Sequence, residues 1–468
     1  MSVRIFGHYI SLPLLLLIVG EALLFIAAVY FAAAARFLEV GFPLQSPSGS
    51  APWLFPRAAL YALVLSGVMV SFGLYSSALY KGGREYRVRF LASFPVAALA
   101  MAIIFYVIQE QFIGRIVLAL SLVFSLLGAA FIRAIFFRIV GHKALKRRVL
   151  VLGSGSRAAE VMVLLDALGA EAGCTLVGFV RCEDEQPQVE AAKLVGDCRA
   201  LRALVNKHFV NEIVVGVRER RGHLSMSDLL QCKLEGVSVV DLPTFFERET
   251  GCVQLNSLST SWMVYSEGFA RSGTQKVLKR AFDIWISAGM LVIALPLMLL
   301  AALAIWIGTG GPILYRQKRI GEVGRVFEIL KFRTMRVDAE QDGIAQWAHR
   351  KDHRITRVGK FLRVTRIDEL PQLVNVLRGE MSFVGPRPER PTFVSELSEK
   401  VPYYASRHSV KPGITGWAQV RCPYGSSVDD SVRKLQFDLY YVKNHSLFLD
   451  LLILVQTAHV VLFGGGAR

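Results

Sequence analysis

A balance of acidic charge, a cysteine pairing motif, a heptad or internal repeat and a leader-type cleavage site are all missing from this sequence of 468 residues. The six cysteines, at 174, 182, 198, 232, 252 and 422, form no C-x-x-C pair. That argues against zinc and disulfides and suits reduced thiols used as small core or surface residues. Asp and Glu number 37 against 54 Lys and Arg, leaving a formal net charge of +17. Such an excess attracts nucleic acid, anionic lipid headgroups or phosphorylated substrates, and composition does not separate the three. The first apolar stretch has no small-residue cleavage site in the right place, so it reads as a retained anchor.

What is abundant is apolar length. Hydrophobic residues make up 53% of the chain and the mean hydropathy is +0.42, too apolar for an ordinary soluble protein. Four stretches, 10–35, 58–78, 91–108 and 116–137, each approach the roughly 20 residues that a bilayer crossing needs. Lys81, Arg84, Arg87 and Arg89 crowd the second loop and four more basic residues fall within 142–148, whereas the first loop is Pro- and Ser-rich with little charge. By the positive-inside preference both ends of this bundle face the cytoplasm. Glu21 and Arg133 lie inside these stretches, Arg133 read as snorkelling near a helix end and Glu21 as a candidate ligand-path residue.

A second unit begins at Arg148. Residues 149–152 read as a buried strand, and Gly153-Ser154-Gly155-Ser156-Arg157-Ala158 as a G-x-G-x-x-A turn opening a helix. Further strand-like runs at 175–180, 212–217 and 237–240 complete a small Rossmann-like domain. The acidic residue that a dinucleotide binder places after its second strand has only Arg181-Cys182-Glu183 to match it, and no Tyr-x-x-x-Lys pair is present. A domain kept for packing or regulation is therefore favoured over a nucleotide site.

Residues 253–276 are rich in Ser, Gly and Thr and read as a connection. The apolar run 284–307 that follows is long enough for a fifth crossing, but Lys276, Lys279 and Arg280 precede it and Arg316, Lys318 and Arg319 follow it. Basic charge on both flanks, with Pro296 near the centre, favours a re-entrant hairpin that enters and leaves by the same face. Residues 315–335 alternate basic, glycine and apolar residues over a possible strand pair, Lys411 to Val420 read as a turn-rich loop leading into a short strand, and 447–463 as an amphipathic helix lying on the membrane surface. The densest pattern runs from Arg363 to Pro391. Two adjacent carboxylates, Asp368 and Glu369, precede apolar residues at helical spacing, with Pro371 in the first turn and Gly379 as the stop. A helix starting there offers a place for a phosphate, its charge balanced by Arg366, Arg363 or a metal. Equally, Asp368 is a simple N-cap.

Four blocks in this region carry a resemblance: Lys331-Phe332-Arg333-Thr334-Met335, Asp368-Glu369-Leu370-Pro371-Gln372, Met381-Ser382-Phe383-Val384-Gly385-Pro386-Arg387-Pro388-Glu389, and Pro412-Gly413-Ile414-Thr415-Gly416-Trp417-Ala418-Gln419. From about Lys279 onward the chain resembles the bacterial sugar transferase family, in particular its long-chain monotopic polyprenyl-phosphate phosphoglycosyl transferases of the exopolysaccharide-initiating type. The resemblance implies transfer of a sugar-1-phosphate from a UDP-sugar to undecaprenyl phosphate, with UMP released. Asp368 would be the nucleophile carrying a covalent phosphosugar and Glu369 the Mg²⁺ ligand, with Lys331, Arg333 and Arg366 clamping the diphosphate and Pro386-Arg387-Pro388 forming the nucleotide-binding turn. Implied partners are the UDP-sugar, undecaprenyl phosphate and inner-membrane lipids, not nucleic acid, with surfaces for a homodimer on the bundle and middle domain. The implied location is the bacterial inner membrane, with the middle and catalytic domains cytoplasmic. Two departures stand out: Pro296 follows Leu295 where relatives often have Ser-Pro, and Arg421-Cys422-Pro423-Tyr424 stands where many have Asn-Gly-Arg.

The expected fold is thus that of an α/β membrane protein. It comprises a four-helix transmembrane bundle (1–140), a Rossmann-like domain (148–255) and a mainly α catalytic domain (276–468) carrying the re-entrant helix 284–307. Two rivals remain open. A membrane-tethered nucleotide-sugar oxidoreductase or dehydratase would use the Gly153 loop, and a non-catalytic polysaccharide-assembly scaffold would account for the bundle and the charge.

Overall fold

The computed structural model describes residues 2–5, 8–37, 54–75, 84–108, 113–144, 146–169, 172–182, 188–217, 225–255, 258, 263, 268–269, 272–336, 354–422 and 427–463. The first loop, Lys81 of the second, half of the 253–276 connection, and Pro423 and Tyr424 lie outside these residues. The chain divides into two compact units, Met1–Glu249 and Thr250–Arg468.

In the first unit, a strand pair, β1 (Ser2–Ile5) with β2 (His8–Ser11), leads into four apolar helices: α1 (Leu12–Phe37), α2 (Leu54–Ser71), α3 (Arg84–Val107) and α4 (Arg115–Ala144). All four are long and apolar enough to cross a membrane. Most of their buried side chains form one cluster, to which Phe25, Tyr61, Phe94 and Ala129 contribute from successive helices, with a smaller one at Ala32, Ala33 and Val117. Arg133 is not snorkelling. It is buried and forks onto Glu21, with Nη2 2.8 Å from Oε2, while Tyr75 donates to the same carboxylate and Arg133 Nη1 donates to Tyr86. A charge pair in an apolar cluster persists only when its donors and acceptors are mutually satisfied, and here it joins α1 to α4. Glu21 is thereby engaged in holding the helices together.

Five parallel strands follow, β3 (Arg147–Leu152), β4 (Cys174–Arg181), β5 (Leu194–Asp197), β6 (Glu212–Val215) and β7 (Ser238–Asp241), in the order β5-β4-β3-β6-β7. Helices α5 (Ser156–Leu168), α6 (Leu201–Lys207), α7 (Met226–Leu234) and α8 (Leu242–Thr250) connect or follow them. Val149 and Val151 bury on one face and Leu150 and Leu152 on the other, as a sheet covered on both sides requires. The glycine turn sits at the carboxyl end of β3, where this strand order reverses. One expectation is corrected: Cys182 and Cys198 form a disulfide, with Cα atoms 5.4 Å apart. Parallel pairing sets Arg181 opposite Asp197, so the residue after each strand meets its counterpart. Nothing in the sixteen-residue spacing announces that contact.

The second unit opens with α9 (Gly273–Thr309), a helix of 37 residues begun by a Ser272–Gln275 capping box. Its long middle is exposed and apolar, Trp285 at 84%, Ile293 at 81% and Ile307 at 72%. The described helix continues through Pro296, so the expected reversal is not divided into two helices. Both its ends are nevertheless held by the same unit. Arg280 donates to the Val376 and Leu377 carbonyls at 2.6 and 2.7 Å, and Asp283 accepts from Phe383 N. Toward the other end Ala301 and Ile305 bury against Phe332, Leu362 and Ile367.

Beyond α9 come the antiparallel hairpin β8 (Leu314–Ile320) and β9 (Val326–Phe332), then α10 (Arg357–Val364), α11 (Gln372–Arg378), β10 (Ser382–Val384), α12 (Pro391–Lys400), β11 (Gly413–Thr415), α13 (Trp417–Arg421), α14 (Val428–Asn444) and α15 (Leu447–Phe463). β10 and β11 pair in parallel. Gly385 and Gly413 permit this: a Cβ at Gly385 would lie 2.4 Å from the Lys411 carbonyl, and one at Gly413 2.1 Å from Gly385 N. The loop at Lys411 thus holds its strand within itself, and a short helix follows at Trp417. In α15 the polarity differs from a helix resting on lipid by its apolar face. Asp450 is buried, pairing with Lys279 Nζ at 2.8 Å and accepting from Tyr441 at 2.8 Å, so this helix is anchored to the unit through its carboxylate.

Candidate active site

The Asp-Glu pair does not sit in the first turn of a helix. Residues 367–369 form a 3₁₀ turn, entered through Arg366 in the left-handed region (φ 61°), and α11 starts at Gln372 with Pro371 as its N-cap. Asp368 therefore caps no helix. Gly379 ends α11 in the left-handed conformation, as the sequence indicated.

Two contacts fix the turn against β9. Asn375, on α11, donates to the Glu328 carbonyl at 2.7 Å and accepts from Leu330 N at 3.0 Å, so its amide acts as an extra strand partner. This registers Lys331 beside Glu369, with Lys331 Nζ 2.8 Å from Glu369 Oε1. From the loop after β10, Arg387 Nη2 reaches the same oxygen at 2.9 Å, and Arg366 Nη1 lies 3.8 Å from Oε2. Burial alone would raise the Glu369 carboxyl; Arg387, Lys331 and Arg366 outweigh it and hold the group well below the usual carboxylate range. Asp368 goes the other way. Burial raises its carboxyl, Glu369 adds to the rise, and Lys331, Arg363 and Arg366 oppose it. Asp368 Oδ1 is buried with no hydrogen-bond partner among the described residues. Adjacent carboxylates with divergent environments take different chemical roles: Glu369 is clamped by cations, whereas one Asp368 oxygen has no hydrogen-bond partner among the described residues.

The structure thus brings together Asp368, Glu369, Lys331, Arg366 and Arg387. Pro388 lines a small cavity with Arg319, Ile329, Lys331, Gln372, Arg387 and Gly413, while the Pro386 carbonyl accepts from Gly413 N at 2.9 Å and fixes the turn. Arg333 is not among them. Its guanidinium donates to the Gly311 carbonyl at 2.8 Å, to the Gly310 carbonyl at 2.7 Å and to Thr309 Oγ1 at 2.7 Å. The last carbonyls of a helix lack partners within it and draw cationic donors, which explains why Arg333 turns toward the end of α9. Pro296 lies within that helix, outside the cluster.

Sequence reading missed two supports. Arg319, seen only as a basic flank, lines the cavity, donates to the Pro388 carbonyl at 3.0 Å and is pushed down to about 10, chiefly by burial. Arg407 and Asp438 form a buried pair at 2.7 Å, and Arg407 Nη2 also donates to the Arg387 carbonyl at 3.0 Å. The two stand thirty-one positions apart in the sequence, and no local pattern links them.

A buried carboxylate with one unpartnered oxygen thus stands next to a cation-clamped one, on a unit that carries a long apolar helix; this is the class of site whose chemistry is compatible with phosphate groups. Residues 274–464 match the family described as bacterial sugar transferase. The chain is 42% identical over 240 residues to the UDP-N-acetylgalactosamine-undecaprenyl-phosphate N-acetylgalactosaminephosphotransferase of Aeromonas hydrophila, covering 51% of this chain and 56% of that one. It is 33% identical over 332 residues to the undecaprenyl-phosphate glucose phosphotransferase of Komagataeibacter xylinus, covering 69% and 61%. An exopolysaccharide production protein of Rhizobium leguminosarum bv. phaseoli is 42% identical over 187 residues, 39% of this chain and 93% of that protein. The chain belongs to the bacterial sugar transferase family. It spans about three-fifths of the length of the first two relatives.

Proposed function

We propose that this chain transfers a sugar-1-phosphate from a UDP-sugar to undecaprenyl phosphate. The observation that carries the reading is Asp368, buried beside Glu369 with one oxygen uncommitted and a carboxyl raised by burial and by its neighbour. In the first step an Asp368 oxygen attacks the β-phosphorus, the bond to the bridging oxygen of UMP breaks, and UMP leaves with that electron pair. In the second, an oxygen of undecaprenyl phosphate attacks the same phosphorus, the acyl-phosphate bond breaks, and the carboxylate is regenerated with undecaprenyl-diphosphate-sugar as product. Lys331, Arg366, Arg387 and Arg319 gather charge released onto phosphate oxygens, and the Pro386–Pro388 turn seats the nucleotide. Asp438, through Arg407, positions Arg387.

Mg²⁺ fits this donor set. No group of three or more His, Cys, Asp or Glu that could hold a metal occurs among the described residues, and Mg²⁺ commonly takes one or two carboxylates plus substrate phosphate oxygens and water. Glu369, with the orphan Asp368 oxygen beside it, would hold the ion, which supplies charge neutralisation at the diphosphate.

The membrane placement follows from α9. Arg280 and Thr309 lie 29 residues apart, about 44 Å along a straight helix and more than a bilayer's roughly 30 Å apolar core. Both positions bind one polar unit, Arg280 through α11 and Thr309 through Arg333. A polar unit cannot occupy both faces of a bilayer, which supports a re-entrant α9 bent at Pro296, with its ends on the cytoplasmic face of the inner membrane. The four N-terminal helices form a transmembrane bundle, and the 148–255 region, with its strand order, is a Rossmann-like cytoplasmic domain. The names of the relatives support UDP-hexose or UDP-N-acetylhexosamine donors and an exopolysaccharide role. Membranes containing the protein, given labelled UDP-sugars and undecaprenyl phosphate, should release UMP; absence of release with every UDP-sugar, or full turnover by Asp368→Asn, refutes the proposal.

A further inference from the structure

Lys331 Nζ and Arg387 Nη2 come from separate elements, β9 and the loop after β10, yet both donate to one atom, Glu369 Oε1, at 2.8 and 2.9 Å. Arg366 stands 3.8 Å from the second oxygen. An ordinary ion cluster would share its cations between neighbouring carboxylates. Here they collect on Glu369 while Asp368 Oδ1, one residue away and buried, has no hydrogen-bond partner among the described residues. Two cationic donors converging on a single anionic oxygen make the geometry that receives a phosphate oxygen. A small cavity of about 10 Å³ beside them is lined by Arg319, Gln372, Ile329 and Pro388 as well as by Lys331 and Arg387, so the convergence point borders a space that already has cationic walls.

We propose that Glu369 is a stand-in for the substrate: in the empty site its Oε1 fills the seat of a diphosphate oxygen, and it gives way when a nucleoside diphosphate arrives. The inference rests on the nucleotide-sugar reading above and deepens it. The carboxylate keeps Lys331 and Arg387 in place while no ligand is bound. It also keeps them off Asp368, which would otherwise lose its nucleophilic lone pairs to ion pairing. Once displaced, the carboxylate is free to turn toward a divalent cation. A consequence is selectivity: a singly charged anion has to compete with a tethered carboxylate for the same two donors, whereas a diphosphate brings enough charge to win.

The test is UDP binding by calorimetry to the full-length protein in detergent, with EDTA excluding divalent metal. Glu369→Gln and Glu369→Ala each release the two cations and should bind UDP on the order of tenfold more tightly than wild type, since a ligand no longer has to displace a charge-assisted contact. Lys331→Gln should cost little in wild type, where Lys331 is already occupied, and should remove most of the gain in the Glu369→Gln background. Unchanged or weaker metal-free UDP binding by both Glu369 variants, with thermal unfolding showing them folded, overturns the proposal. So does an equal cost of Lys331→Gln in both backgrounds, a comparison that stands on Lys331 binding alone. If wild type binds UDP with Mg²⁺ but the metal-free gain is absent, the stand-in role falls and the transferase reading stands. If folded wild type binds UDP under neither condition, both fall.

Discussion

Arg333 separates two accounts of the Lys331–Met335 block. As a diphosphate clamp it would matter for substrate affinity; in the structure it closes the end of α9. Its side chain is 7% exposed, and it donates to the carbonyls of Gly310 and Gly311 and to Thr309 Oγ1 at 2.7 to 2.8 Å, with the Thr309 carbonyl at 3.2 Å. Hydrogen bonds to charged groups contribute roughly 1.5–3 kcal/mol each, but four on one guanidinium are not additive and the side chain also loses rotamer freedom. Counting about two of them in full gives a cost of about 3–5 kcal/mol for Arg333→Ala. In a unit of this size that corresponds to a fall of about 6–20 °C in unfolding temperature. Lysine cannot reproduce the planar fork and should recover only part of the loss. The assay is thermal unfolding in detergent alongside steady-state kinetics below the transition. The expected result is a large drop in unfolding temperature with KM for the UDP-sugar within about threefold of wild type, threefold being only about 0.7 kcal/mol. An unfolding temperature unchanged by Arg333→Ala, with KM raised tenfold or more, would refute the helix-end role and restore the clamp.

Other consequences are as direct. The raised Asp368 carboxyl places the acidic limb of kcat/KM above the ordinary aspartate value of about 4, activity falling as pH drops through it; a limb at or below that value contradicts the site. By linkage, a carboxyl raised in the folded state binds more protons there than in the unfolded chain, so stability falls as pH rises through its pKa. Asp368→Asn should therefore be inactive yet at least as stable as wild type at pH 7.5, the difference vanishing in acid, and a clearly less stable variant at pH 7.5 counts against this. Glu21→Ala strands the buried Arg133 and should cost about 3–5 kcal/mol in thermal unfolding, while a neutral effect would return Glu21 to the role of ligand-path residue. Asp438→Asn should loosen Arg407 and, through the Arg387 carbonyl, raise KM for the UDP-sugar more than it lowers kcat; a pure kcat loss argues against positioning.

The apolar stretches, the parallel strands and the stop at Gly379 were legible because each depends on local pattern: length, alternation or a left-handed glycine. The Asp368–Glu369 pair was legible as a pair, since adjacent carboxylates amid arginines have few structural uses. What escaped was long-range pairing. Arg133 with Glu21, Arg407 with Asp438, Asp450 with Lys279 and Cys182 with Cys198 are separated by 16 to 171 residues, and no periodicity links such positions. Arg333 was misassigned for a related reason. Its block marks the right neighbourhood, but whether a side chain just beyond β9 turns toward the site or toward the end of α9 is decided by the local chain direction and by which carbonyls lack partners. Likewise the start of α11 shifted by a few residues because Arg366 adopts a left-handed turn that helical spacing does not announce.

The central claim is that Asp368 becomes covalently phosphorylated. It is tested by quenching the full-length protein in acid after brief exposure to a UDP-sugar and Mg²⁺ without undecaprenyl phosphate, then mapping peptides by mass spectrometry. The account predicts a sugar-phosphate mass on the peptide containing Asp368, about one equivalent of UMP per protein, and loss of the adduct when undecaprenyl phosphate is added. UMP released only when undecaprenyl phosphate is present, with no adduct on Asp368 at any time, would show a direct transfer and contradict it.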